Sequence, residues 1–84
     1  MNDKQDEIVS LTNKIKEIVD TSLREKYFSS NELEYVQSQM VILVKQSVFW
    51  MEQQNQSRFV YDLNTFLKWL IALVEKKEGE KFGE

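Results

Sequence analysis

The sequence predicts an all-α protein whose simplest architecture is a three-helix up-down-up bundle. Apolar residues recur at steps of three and four over three successive segments, which is the spacing of amphipathic helices. The chain has no proline, and its two glycines, Gly79 and Gly83, lie near the C-terminus, so nothing in the body breaks a helix. Short polar stretches separate the segments, as in antiparallel bundles. A helical protomer that dimerises into a larger bundle is the alternative architecture.

The first helix is predicted over residues 3–27. At about 100° per residue its apolar side chains form a single stripe, which comprises Ile8, Leu11, Ile15, Ile18, Val19 and Leu23. The charged residues lie off this stripe, so the helix is amphipathic. Asn2 and Asp3 are residue types that cap a helix start, and either can serve here.

The boundary before the second helix carries a helix-start signature. Ser29 followed by Glu32 has the spacing of a capping box, and Phe28 and Leu33 flank it in the positions of a hydrophobic staple. The connection is therefore short. We expect the first two helices to be antiparallel neighbours.

The second helix is predicted over residues 30–53, and it carries two apolar stripes. The main stripe comprises Leu33, Val36, Met40, Leu43, Val44, Ser47, Trp50 and Met51, which we expect the first and third helices to bury. The second stripe lies on the opposite side, because Tyr35, Ile42 and Phe49 are spaced by seven residues and align along the axis. The sequence does not show what covers this second stripe.

The third helix is predicted over residues 58–77. Its apolar residues cover about half of the circumference, which suits a helix that contacts two neighbours. Asn55 or Ser57 can cap its start, although one long kinked helix through residues 53–57 is an alternative. Residues 1–78 are predicted to form one domain, and residues 79–84 a charged flexible tail.

The composition argues against catalysis. Histidine and cysteine are both absent, so the chain lacks the usual general base near neutral pH and the ligands of most zinc sites. Adjacent carboxylates such as Asp6 and Glu7 are typical of a solvated helix surface. We therefore expect a protein that is not an enzyme and that holds no cofactor or metal.

The charge pattern also disfavours nucleic acid and membrane as partners. The net charge is −3, and the 11 basic residues are dispersed. The longest apolar run, Leu70 to Val74, is far shorter than the ~20 residues that span a bilayer. The N-terminus lacks the apolar core of a secretory signal, so we expect a soluble, cytoplasmic protein.

A five-residue stretch, Ser30-Asn31-Glu32-Leu33-Glu34, resembles the Ser-x-Glu-Leu-Asp signature of the small two-helix phosphatases that act on a sporulation response regulator. The resemblance implies a phosphatase-like regulator of a response-regulator protein, centred on Glu32 and Glu34. Glu34 stands where the family has Asp, and the stretch opens the second helix instead of lying inside it. Capping chemistry accounts for the same residues locally.

The second stripe has two interpretations. The middle helix of a bundle can carry a wide apolar arc, in which case Tyr35, Ile42 and Phe49 belong to the core. Alternatively the stripe, with Gln46 beside it and Trp69 at the margin of the third helix, binds another protein or a second copy of the chain. The second interpretation predicts a small helical interaction module of the inhibitor, immunity, chaperone or regulatory-adaptor type.

Overall fold

The computed structural model describes the backbone of residues 3–82 and the side chains of residues 3–80, and within these limits it is a three-helix bundle without strands. The helices are α1 (Asp3–Arg24), α2 (Ser30–Glu52) and α3 (Gln56–Phe82). Tyr27 contacts Glu78 at the same end of the molecule where Glu32 contacts Lys77. α3 therefore runs parallel to α1 and antiparallel to α2, which is the up-down-up order that the sequence predicts.

The predicted capping box forms at the start of α2. The backbone N–H of Glu32 donates to Oγ of Ser29 (3.3 Å), and the backbone N–H of Ser29 donates to Oε1 of Glu32 (2.9 Å). Two amides that the first helical turn leaves without partners are thereby satisfied. Phe28 just before the cap is buried, and Leu33 just after it is half-buried.

Both turns have a left-handed residue at the end of the preceding helix. Lys26 and Gln54 each have φ of 55°. After α2, the N–H of Gln54 donates to the Met51 carbonyl (3.0 Å) and that of Asn55 to the Trp50 carbonyl (2.8 Å), which is a Schellman motif. Glycine is the usual residue at such a left-handed position. Lysine and glutamine occupy the two positions here, so no glycine marks either turn in the sequence.

The stretch between α2 and α3 is a turn, so the alternative of one long kinked helix is wrong. Asn55 caps α3, because its Oδ1 accepts the backbone N–H of Arg58 (3.1 Å). Of the two residues predicted as caps, the structure selects Asn55. α3 consequently begins at Gln56, two residues before the predicted start.

The core is centred on α3. Its buried residues face both neighbours and comprise Val60, Leu63, Phe66, Leu67 and Leu70. α1 contributes Leu11 and Ile15, and its buried row ends on Ser22 and not on Leu23, which is exposed. The Ser22 hydroxyl donates to the Ile18 carbonyl (2.7 Å), so this small polar residue is satisfied where it is buried.

α1 and α2 run antiparallel, as predicted, but the expectation that they are packed neighbours is wrong. Each of them packs on α3, and within residues 3–82 no Cα atom of α1 lies within 8 Å of a Cα atom of α2. Two of the eight residues of the main stripe of α2, Val44 and Met51, are therefore left exposed, at 60% and 63%. The wide apolar arc of α3 is explained by its contact with two helices, as its sequence predicted.

α3 ends at Phe82, five residues beyond its predicted end. Most of the stretch predicted as a tail is therefore helical. Gly79 costs a helix only about 1 kcal/mol relative to alanine, and Lys77 pairs with Glu80 one turn later (3.5 Å). Residues 83–84 lie outside the described range.

Candidate functional site

The α2 stripe, defined as Tyr35, Ile42 and Phe49, is exposed. The exposed fractions of these three side chains are 54%, 48% and 50%. The interpretation that places them in the core is therefore wrong for the single chain. The reason is geometric: of the two other helices, only α3 approaches α2 closely, so a helix with apolar residues on opposite sides can bury only one side well.

Ile42, Gln46 and Trp69 line one shallow groove between α2 and α3, here named the Trp69 groove. Its volume is about 330 Å³. The other lining residues are partly polar and comprise Gln39, Leu43, Asp62, Thr65 and Phe66. Three of the five residues predicted to bind a partner thus meet at a single site, although they come from two helices.

Trp69 is held at the side of this groove by two aromatic neighbours. The Tyr35 ring meets it edge-on at 5.9 Å and 63°, and the Phe66 ring lies 5.4 Å away, tilted by 52°. Such arrangements are favourable for aromatic pairs. Tyr35 therefore extends the groove along α2, and Trp69 is a fixed, half-buried aromatic surface.

Phe49 lies at the other end of the α2 stripe and does not line the groove. Its ring packs edge-on against Trp50 at 4.8 Å. The five predicted residues therefore form a continuous group of four, Tyr35, Ile42, Gln46 and Trp69, with Phe49 beyond them on the same side of α2. Whether a partner binds these residues stays a prediction.

A hydrogen bond beside Phe49 was not predicted from the sequence. Nε1 of Trp50 donates to Oδ2 of Asp62 at 2.7 Å across the α2–α3 turn, and the Arg58 guanidinium lies 5.3 Å from the Trp50 ring. The signal that points to such a bond is the indole N–H, which needs an acceptor when a tryptophan is buried. The bond holds the start of α3 against the end of α2 and shapes one wall of the Trp69 groove.

The carboxylate of Glu32, which the phosphatase resemblance singles out, is engaged on both oxygens. Oε1 accepts the N–H of Ser29 in the capping box, and Oε2 forms a salt bridge with Lys77 of α3. The hydrogen bond from Lys77, and then that from the Ser29 backbone, lower the pKa of Glu32 to about 2. Glu34 is exposed, and nothing in this geometry adds support to a phosphatase centre.

The residues the structure describes contain no group of three or more histidine, cysteine, aspartate or glutamate side chains placed to hold a metal ion. Among the helices of residues 3–82, none combines the length and the apolar character needed to cross a membrane. Comparison with family models, curated proteins and solved structures finds no significant match to this chain.

Proposed function

We propose that this protein is a non-enzymatic helical interaction module. It acts by binding another protein through the α2 stripe and the Trp69 groove. The observation that carries the proposal is the distribution of exposed apolar residues. In the described part of the chain eleven large apolar side chains are exposed, and seven of them lie on α2. Single exposed apolar residues are ordinary, whereas a cluster on one helix is typical of an interaction surface.

The energetics favour burial of the α2 stripe in a complex. Full burial of an isoleucine or phenylalanine side chain contributes ~1.5–3 kcal/mol. Ile42 and Phe49 are each about half exposed, so covering both would contribute on the order of 1.5–3 kcal/mol. Tyr35 adds a third, amphipathic ring, of the kind enriched among residues that dominate binding energy.

The shape of the site favours a helix or an extended apolar segment as the docked element. Ile42 and Trp69 form its apolar centre, while Gln46, Gln39 and Thr65 provide uncharged hydrogen-bonding groups at the edge. An apolar centre with a polar rim is the usual anatomy of a protein–protein interface. By analogy with its size and architecture, the module would act as an inhibitor, immunity protein, chaperone or regulatory adaptor.

The test compares stripe variants for partner binding and for folding. A tagged protein is used to capture its partner from the source cells, and the purified partner is then titrated calorimetrically with the parent and with Ile42→Glu and Phe49→Lys. Each change places a charge at the centre or end of the stripe, and we expect at least about a tenfold weaker binding, since an unpaired charge in an interface is costly.

The control is Gln37→Glu, which adds the same negative charge as Ile42→Glu at an exposed position of α2, about 140° around the helix from Ile42. It should bind like the parent. Circular dichroism should show that Ile42→Glu and Phe49→Lys keep the parental helical signal. Unfolding of either variant would show that the stripe is core, and undiminished binding by both would contradict the proposal.

A further inference from the structure

A second apolar surface lies on the other side of α2, facing α1. Because no Cα atom of α1 lies within 8 Å of a Cα atom of α2 in residues 3–82, the two helices leave between them a groove of about 610 Å³, here named the α1–α2 groove. Ile15 and Val19 of α1 form one wall, Val44 and Val48 of α2 form the other, and Leu63 of α3 lies in the floor. At about 100° per residue, Val44 is separated from Ile42 by about 160°, so this groove and the α2 stripe are different faces.

The lining of the α1–α2 groove specifies the chemistry of its occupant. It is almost entirely apolar, and its charged residues, Lys16 and Asp20, have opposite signs and no net charge. An acidic or basic partner gains nothing from such a lining. The groove therefore fits an uncharged apolar helix.

α2 is itself a helix of this kind. Val41, Val44, Val48 and Met51 are spaced by three, four and three residues, which is the spacing of a helix–helix seam. They are exposed, with exposed fractions between 48% and 63%. Between Tyr35 and Met51 the sole charged residue is Lys45. The chain thus carries a groove and, along the α2 wall of that groove, a ridge of the same apolar chemistry.

The chain exposes more surface than a compact monomer of its mass, and the excess is close to the area that one interface buries. A folded monomer of 10.1 kDa is expected to expose ~5,300 Å². This chain exposes 6272 Å², an excess of ~1,000 Å², and a standard stable interface buries ~800 Å² on each partner. One interface of ordinary size would bring the exposed area to that of a compact protein.

We infer that the occupant of the α1–α2 groove is a second copy of this chain, with the Val41–Met51 ridge of each protomer lying in the groove of the other. A two-fold axis relates the two contacts, because each copy offers the same groove and the same ridge. In the dimer the grooves and ridges of the two copies form one shared apolar core. The α2 stripe and the Trp69 groove of both copies face outward. The inference concerns a different face from the proposed function and does not depend on it.

Sedimentation equilibrium of the full chain, from about 1 µM to about 500 µM, tests the inference. The parent mass should rise from 10.1 kDa toward twice that value. Val44→Glu places an unpaired charge in the seam of both copies and should raise the dissociation constant about a hundredfold or more. Ser38→Glu, which adds the same charge elsewhere on α2, should associate like the parent.

Val44→Ala is the second variant, used in case the glutamate disturbs folding. It removes contact area from both copies and should raise the dissociation constant about tenfold, with the helical signal unchanged. A parent mass that stays at 10.1 kDa at every concentration would overturn the inference. That result would not bear on the proposal that another protein binds the α2 stripe. A dimer that Ile42→Glu dissociates and Val44→Glu does not would also overturn it, because the two copies would then meet through the stripe.

Discussion

Val36 and Val44 offer a matched test of which side of α2 is packed. The same side chain occurs at both positions of the same helix, but Val36 is 4% exposed against α3 and Val44 is 60% exposed beside the α1–α2 groove. Replacement of each by alanine removes the same atoms and changes helix propensity equally. Any difference in stability therefore reports the packing.

The expected losses differ by several-fold. Val→Ala deletes two methyl-sized groups, worth ~0.8 kcal/mol each when buried, and leaves a small cavity. Alanine is a better helix former than valine by ~0.5 kcal/mol. We expect Val36→Ala to lower the free energy of unfolding by ~2 kcal/mol, since Val36 is almost fully buried. At Val44 the smaller loss is offset by propensity, and the net change should be close to zero.

The assay is urea denaturation followed by circular dichroism, at a protein concentration where sedimentation equilibrium gives the mass of the monomer. The slope of the free energy with urea should stay the same in both variants, because a change in slope would signal altered compactness. Equal losses at the two positions would refute the reasoning, since in the monomer they would show that Val44 is packed as closely as Val36. A larger loss at Val44 would reverse the assignment of the packed face.

Three further predictions concern the turn, the cap and the groove wall. Gln54→Gly should raise the free energy of unfolding by about 0.5–1 kcal/mol in urea titrations, because glycine adopts the positive φ of 55° without strain. A lower free energy of unfolding would show that glutamine is not strained at this position. Glu32→Gln keeps a residue type that a capping box accepts but removes the carboxylate that pairs with Lys77. Folding lowers the pKa of the Glu32 carboxyl from 4.5 to about 2. The ionised carboxylate therefore stabilises the fold above pH 4.5, and this contribution is lost as the pH falls toward 2. The Tm difference between parent and variant should therefore shrink between pH 5 and pH 2, and a constant difference would contradict this origin. Trp50→Phe keeps a ring but removes the donor to Asp62, and should cost ~1–3 kcal/mol in urea titrations; an unchanged stability would show that water replaces the bond.

Local features of this fold were predictable because they depend on residues close in sequence. The capping box of Ser29 and Glu32 forms as predicted, and Asn55 caps α3 as one of its two candidates. The left-handed turns were not predictable, since Lys26 and Gln54 are neither glycine nor asparagine, the residues that usually mark such a position. The end of α3 was placed too early, because a single Gly79 lowers helix propensity without breaking the helix.

The candidate site was predictable in part. Spacing by seven residues identified the α2 stripe, and the structure leaves Tyr35, Ile42 and Phe49 exposed. The meeting of Ile42 and Gln46 with Trp69, and the bond from Trp50 to Asp62, join residues of different helices. Such contacts depend on how far α2 is rotated and shifted against α3, which periodicity alone does not report.

The sequence by itself determined the three helices, their order, and the presence of two apolar sides on α2, because the periodicity of apolar residues and the chemistry of caps act over a few residues. Only the tertiary structure decided that α3 lies between the other two helices and that α1 and α2 stay apart. The physical reason is that an apolar stripe shows which face of a helix favours burial, but it does not show which helix packs against that face. Here α3 has the widest apolar arc and satisfies both neighbours, so Val44 and Met51, predicted as core, line an open groove instead.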